Sequence, residues 1–365
     1  MKVSFDGMEM HVDGPPAGDQ ERMQSGVAAF QVSETEFPTT GTRREQMFFL
    51  LRYAVLAPST HNTQPWRFNI TEEGIEVFGD YRRRMPVVDP GNRELLMSVG
   101  GAVFNLRAAA SHFHMPCSVE YNLSGDSELP LAAVRLGHID TRLRPDPVYE
   151  LLFPCIVERH TNRNPFLLSR VATSVLHRLS LCTEGTNATL VISTDGAMNE
   201  KIGEMVVDAS VQQWSNAEYR KDVAEWIAGD ATARWDGIPA GSYGWTGSIA
   251  SLGSYAAKTI DQGRLRAARD RNLCVEAPGL IVIAGEDATQ YWLQTGEVHQ
   301  RLCLTIVREG LQYSYFNMPV QVPELRAQLR SVLGCQQWPQ LILRVGYCLT
   351  PTAPTPRRPI EDVMM

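Results

Sequence analysis

The chain has 365 residues, above the roughly 100 to 200 of a single-core domain, so two cores or one large fused core are expected. Hydrophobic residues at 44% and charged residues at 21% exclude a disordered, collagen-like or coiled-coil chain. The formal charge of -7 argues against nucleic acid or a membrane surface as partner, because phosphate binding needs a basic excess.

Seven dispersed cysteines without a CxxC pair fit neither a disulfide framework nor a structural zinc site, and they read as reduced thiols. The start, rich in acids and prolines, lacks the apolar stretch of a signal peptide, and no run of about 18 apolar residues follows, so a cytoplasmic chain is expected. Residues 1–40 carry Gly, Pro, Asp, Glu, Gln and Thr without a sustained apolar period and read as an N-terminal arm or disordered tail.

Thr42-Arg43-Arg44-Glu45 has capping-box spacing, and Met47, Leu50, Leu51, Ala54 and Val55 follow at helical period, predicting a helix that stops before Pro58. Trp66 to Ile70 and Ile75 to Phe78, separated by Thr71-Glu72-Glu73-Gly74, predict a β-hairpin. After the turn Asp89-Pro90-Gly91, Asn92 to about Phe113 reads as a long helix with Gly100-Gly101 as a close-packing pair. Strands are expected at Cys117 to Leu123 and Leu131 to Leu136, with polar Ser124 to Glu128 between them.

A Pro-containing crossover, Leu143 to Pro154, leads to a second series. Helices are expected at Val171 to Leu181, Glu200 to Ser215, Ala217 to Ala228, Tyr291 to Gly310 and Pro323 to Leu333. Strands are expected at Ala188 to Ser193, Pro278 to Ala284 and Leu341 to Val345, so the class is α+β. Each series has a long helix that begins near a glycine and leads to a strand, which suggests an internal duplication by element order rather than by identity. The division is then 1–40 as arm, 41–145 as first half and 146–365 as second half, with Gly229 to Gly263 either a lid or an ordinary surface excursion.

Two segments carry chemistry. Ala57-Pro58-Ser59-Thr60-His61-Asn62-Thr63-Gln64-Pro65-Trp66 holds hydroxyl and amide groups between prolines, as needed to read the edge of a planar heterocycle. The same spacing also fits a capped helix-to-strand loop. In Arg159-His160-Thr161-Asn162-Arg163, guanidiniums flanking a hydroxyl can converge on one phosphate, although Arg-rich loops are often only solvated. Pro356-Arg357-Arg358-Pro359 offers a further clamp or a plain tail. His112 and His114 have no ligand-spaced partner, so no metal is expected. No P-loop, G-x-S-x-G or G-x-G-x-x-G motif occurs.

These segments together resemble the nitroreductase superfamily, and the Asp89-Pro90-Gly91-Asn92-Arg93-Glu94-Leu95 run is similar to the Acg-like branch, in which two nitroreductase-like halves are fused. The resemblance runs from about residue 43 to 365. It implies a nitroreductase-like intramolecular pseudo-dimer, monomeric or pairing further as a homodimer, with one flavin site. FMN would be the cofactor, NAD(P)H the electron donor and a small molecule such as a nitroaromatic or quinone the acceptor. Under that resemblance Arg159, His160, Thr161, Arg163 and Arg358 would face the FMN phosphate and ribityl chain. Pro58, Ser59, Thr60 and Asn62 would lie against the isoalloxazine, and Met318 near the flavin N5. The flavin would carry the redox chemistry itself, so no acid-base dyad is required. The competing reading is FMN storage without turnover beneath a lid.

Overall fold

The computed structural model describes residues 2–5, 8–11, 27–122, 128–229, 234–243, 253–350 and 352–365. Helix α1 (Arg43–Ala54) opens with the expected capping box: the Glu45 amide donates to Thr42 Oγ1, and the Thr42 amide donates to Glu45 Oε2 at 2.7 Å. Its buried residues include Met47, Leu50, Leu51 and Ala54, the stripe seen in the sequence.

β3 (Trp66–Ile70) and β4 (Gly74–Gly79) form the hairpin, and β3 alternates buried with half-buried positions as a half-covered strand should. Helix α2 (Arg93–His112) is started by Asp89, whose carboxylate accepts from the Leu95 amide at 3.0 Å. β5 (Cys117–Tyr121) and β6 (Ala132–Leu136) complete an antiparallel sheet in the order β3-β4-β6-β5. β5 ends at Tyr121, before Asn122 of the expected strand, while Leu123 and most of the polar run after it lie outside the described residues.

Two short helices, α3 (Pro147–Leu152) and α4 (Cys155–Glu158), lead to α5 (Thr173–Ser180) and β7 (Ala188–Ser193). The second sheet adds β10 (Gly279–Gly285), β11 (Gln312–Tyr315) and β12 (Trp338–Gly346), with α10 (Thr289–Arg308) between β10 and β11. Its order is β7-β10-β12-β11, again antiparallel throughout. Each sheet therefore places its first, second, fourth and third strands side by side. The repeated element order was legible in the sequence, although β11 itself was not expected.

The halves meet where α2 crosses α10. A Cβ on Gly100 would lie 2.0 Å from the Leu293 carbonyl oxygen, and one on Gly296 would lie 2.0 Å from that of Met97. Glycine at both positions lets the two backbones touch. Beside the crossing Gln300 Nε2 donates to Asn105 Oδ1 at 2.7 Å, and Asn105 Nδ2 donates to the Tyr53 carbonyl at 2.9 Å. Leu293 and Leu304 of α10 pack in the core of the first sheet, while Met97 of α2 packs in that of the second. The C-terminal tail crosses back as well: the Met365 amide donates to the Phe68 carbonyl, and Val363 is buried in the first core.

Between β7 and β10 the chain inserts residues 194–278. Their described part holds α6 (Gly196–Ser215), α7 (Ala217–Glu225), α8 (Gly253–Thr259) and α9 (Gly263–Val275). The helix expected to reach Ala228 stops at Glu225, because Ile227–Ala228 (β8) pairs in parallel with Ile238–Pro239 (β9). Helix α9 was not anticipated. Residues 230–233 and 244–252 of the segment read as a lid lie outside the described residues. In the N-terminal arm, Lys2–Phe5 (β1) pairs with Met8–His11 (β2) in a short hairpin where no regular structure was expected. No helix among the described residues is long and apolar enough to cross a membrane.

Candidate functional site

A cavity of about 250 Å³ lies where the halves and the inserted segment meet. The loop after α1 forms one wall. His61, Asn62 and Gln64 have φ of 49°, 56° and 50°, three non-glycine residues in the left-handed region within four positions. Such backbone is held only where surrounding contacts over-determine it. Those contacts are present. Ser59 Oγ accepts from the Gln64 amide at 2.9 Å, and the Gln64 side chain donates to the Trp235 carbonyl and accepts from the Arg358 amide. Arg83 donates to the Thr63 carbonyl and pairs with Asp236, tying the inserted segment to the loop.

Asn62 stands at the cavity, but its amide is committed to the protein. Nδ2 donates to the carbonyls of Gly237 and Pro356, both at 3.1 Å, and Oδ1 accepts from Arg357 at 3.0 Å. This side chain pins the loop to the insertion and the tail. Thr60 Oγ1 donates to Glu94 Oε2 at 2.7 Å, and Gln321 donates to the other carboxylate oxygen at 2.9 Å. Burial, reinforced by Asp89, pushes the Glu94 carboxyl above the usual carboxylate range.

The second wall is basic. Arg159 is 2% exposed, donates to Tyr313 Oη at 2.7 Å and to the Leu56 carbonyl at 3.1 Å, and its buried Nε has no hydrogen-bond partner among the described residues. Arg357 donates to the carbonyls of Val55, Leu56 and Ala57, the acceptors left over at the end of α1. Burial holds the Arg357 guanidinium well below its usual pKa. Arg344 stacks 4.0 Å from the centroid of the Phe166 ring and donates to the Asn164 carbonyl at 2.8 Å. Burial first, then Arg163 and Arg266, push His61 down to about 4, so its imidazole is neutral, and its buried Nδ1 has no hydrogen-bond partner among the described residues. His299, within 2.9 Å of Tyr315 Oη, is pushed down to about 3 by burial and by Arg159.

Of the residues singled out in the sequence, Pro58, Ser59, Thr60, Asn62, Arg159, Thr161, Arg163 and Met318 all line this cavity. His160 and Arg358 do not. The His160 ring turns to the Glu158 carbonyl, and Arg358 donates to the carbonyls of Gln64 and Asp362. Its neighbour Arg357 takes the inward position, because successive residues of an extended segment point to opposite sides. Sequence reasoning missed Arg266, Arg269 and Asp270 of α9, as well as Trp214 of α6, which also line the cavity. The Arg- and Ala-rich stretch after Gly263 was the available signal.

No protein-family model matches the chain. Curated proteins of Mycobacterium tuberculosis do. The "Putative NAD(P)H nitroreductase Rv3131" is 24% identical over 336 residues, 90% of this chain and 93% of that protein. The "Putative NAD(P)H nitroreductase acg" is 22% identical over 337 residues, 89% of this chain and 97% of that protein. Each of these two proteins is similar to this chain over about nine-tenths of its length. Among solved structures, the FMN-dependent nitroreductase NfnB of Mycobacterium smegmatis in complex with NADPH aligns with a TM-score of 0.38 and 17% identity, covering 58% of this chain and 96% of that one. Iodotyrosine deiodinase bound to FMN and 3-iodo-L-tyrosine aligns with a TM-score of 0.38 and 16% identity, over 57% and 95%.

Proposed function

We propose that the cavity binds FMN and that the chain is an oxidoreductase of the nitroreductase type, taking electrons from NAD(P)H and passing them to a small acceptor such as a nitroaromatic or quinone. The observation that carries this reading is the convergence on one cavity of Pro58 to Asn62 from one half and Arg159, Thr161 and Arg163 from the other. The donor set suits a mononucleotide. The phosphate would take Arg163, the Thr161 hydroxyl and the unpartnered Nε of Arg159, which needs an acceptor in its buried position. Pro58, Ser59 and Thr60 would flank the ring, with the chain at Met318 on a further side. The bound flavin would supply the redox chemistry, and this chain's own groups bind, orient and exclude water.

The test is a titration of the purified full chain with FMN. Arg159→Ala together with Arg163→Ala should weaken binding roughly 100-fold or more, the loss expected for charge-assisted contacts. Unaltered affinity in that variant would sink the phosphate assignment. A second reading, flavin storage without turnover, is favoured by one feature: α6, α7 and α9 of the insertion wall the cavity. Anaerobic addition of NADH or NADPH separates the two. Bleaching of the flavin band supports catalysis, and a stable band with both nucleotides supports storage.

A further inference from the structure

A pair of buried carboxyls stands behind the loop that walls the cavity. Glu94 is 2% exposed and lines the cavity, and Asp89 is 7% exposed in the turn that starts α2. Arg93 faces both, with its guanidinium 3.7 Å from Glu94 Oε1. Two carboxylates so placed repel each other where water does not screen them, so one proton held by the pair is favoured. Asp89 accepts from backbone amides of the first turn, that of Leu95 at 3.0 Å, at the positive end of a 20-residue helix, which favours its charged form. The proton therefore falls to Glu94.

Glu94 Oε1 accepts from Gln321, and Oε2 lies 2.7 Å from Thr60 Oγ1. A hydroxyl can both donate and accept. While Glu94 is ionised, the Thr60 hydrogen points at the carboxylate. Once Glu94 carries a proton, the same 2.7 Å contact runs the other way, and the Thr60 hydrogen is released to the cavity that Thr60 also lines. The surroundings hold this arrangement in place. Gln213 of α6 donates to Gln321 at 3.0 Å, Asp222 of α7 faces Asp89, and Arg326 and Asp287 face Arg93. His61, next to Thr60, is neutral and adds no charge.

We propose that Thr60, backed by Glu94, donates the proton that an oxygen of the electron acceptor takes up when the acceptor is reduced in the cavity. The step balances. A quinone that receives a hydride equivalent from the reduced coenzyme gains its second hydrogen as the Thr60 proton, and Thr60 takes the proton of Glu94 in turn. Glu94 is left as a carboxylate beside Arg93, accepting from Thr60 and Gln321, until water entering after product release returns its proton. This inference rests on the flavin reading for the electrons and on the Thr60 and Glu94 geometry for the proton.

The test follows reoxidation of the FMN-loaded, prereduced full chain by 1,4-naphthoquinone, which needs a proton, against reoxidation by ferricyanide, which takes an electron alone. In the wild type the quotient of the two rates should fall as pH rises through the pKa of Glu94. Glu94→Gln keeps the size of the side chain but has no proton to give, so the quotient should drop about 100-fold, the low end of general acid catalysis, and lose its pH dependence. Thr60→Val should act alike, and Thr60→Ser, which keeps the hydroxyl, should retain most of the quotient. An unaltered quotient in Glu94→Gln would overturn the proposal. So would equal slowing with both acceptors, the mark of a purely structural role. A second readout needs no flavin. Above the ordinary carboxylate range, the infrared spectrum of the FMN-free full chain should hold a protonated-carboxyl band that is lost in Glu94→Gln and shifted in Thr60→Val. Its absence from the wild type would overturn the proposal too. A chain that shows the band but takes up no FMN would refute the flavin reading and leave the donor pair standing.

Discussion

β3 reaches β4 through Thr71, Glu72 and Glu73, whereas β7 reaches β10, its counterpart in the second sheet, only after residues 194–278. The strands on either side pair antiparallel in both cases, so the sheet tolerates the difference. Closing a longer loop costs only slowly more entropy, and here the inserted helices bury surface of their own. What the comparison teaches is where function entered. Two sheets of one plan supply the scaffold and two of the cavity's walls. The insertion adds a third wall to one side, making a symmetric framework asymmetric.

The largest effect should come from the contact that makes the halves one body. Gly100→Ala or Gly296→Ala drives a methyl group to 2.0 Å from a carbonyl oxygen of the opposite helix. Each should lower stability by about 3 kcal/mol or more, read from urea unfolding, because two packed backbones must move apart. A mild effect would mean that the crossing is not what unites the sheets.

Asn62→Ala comes next. It removes two donors and an acceptor from buried partners in the insertion and the tail, so a loss of about 2 to 3 kcal/mol is expected, with faster proteolysis of the 234–239 segment. If proteolysis is unchanged, the insertion is held elsewhere. Arg358→Ala should cost less, about 1 kcal/mol at most, and should leave FMN affinity near that of the wild type, unlike Arg159→Ala with Arg163→Ala.

A further effect shows only as a pH dependence. The folded-state pKa of His299, about 3, lies below the ordinary imidazole value near 6.5, so the unfolded chain takes up a proton that the folded chain refuses. Its contribution to stability is intact above pH 6.5 and declines as pH falls from there toward 3. The stability difference between the wild type and His299→Gln should therefore narrow by about 1 to 2 kcal/mol between pH 7 and 5. A difference that stays constant with pH would show that His299 is not held neutral.

Much of the scaffold was legible because it is local. The capping box at Thr42 and Glu45 and the alternation in β3 act within a few residues of themselves. β11 was harder: it has four residues at a sheet edge, too few to display a period. Helix α9 buries only Gly263, Ala267 and Cys274, so it carries almost no apolar stripe.

By itself the sequence determined the α+β class, the repeated order of elements and the two segments that meet at the cavity. Only the tertiary structure decided which side chains face it. Arg357 rather than Arg358 turns inward, Asn62 is consumed by the tail and the insertion, and α9 brings Arg266 and Arg269 to a loop some 200 positions away in the chain. The reason is physical: a residue type declares what it can bond, but the partner is chosen by distance in space. Burial then removes the competing water and makes that choice binding.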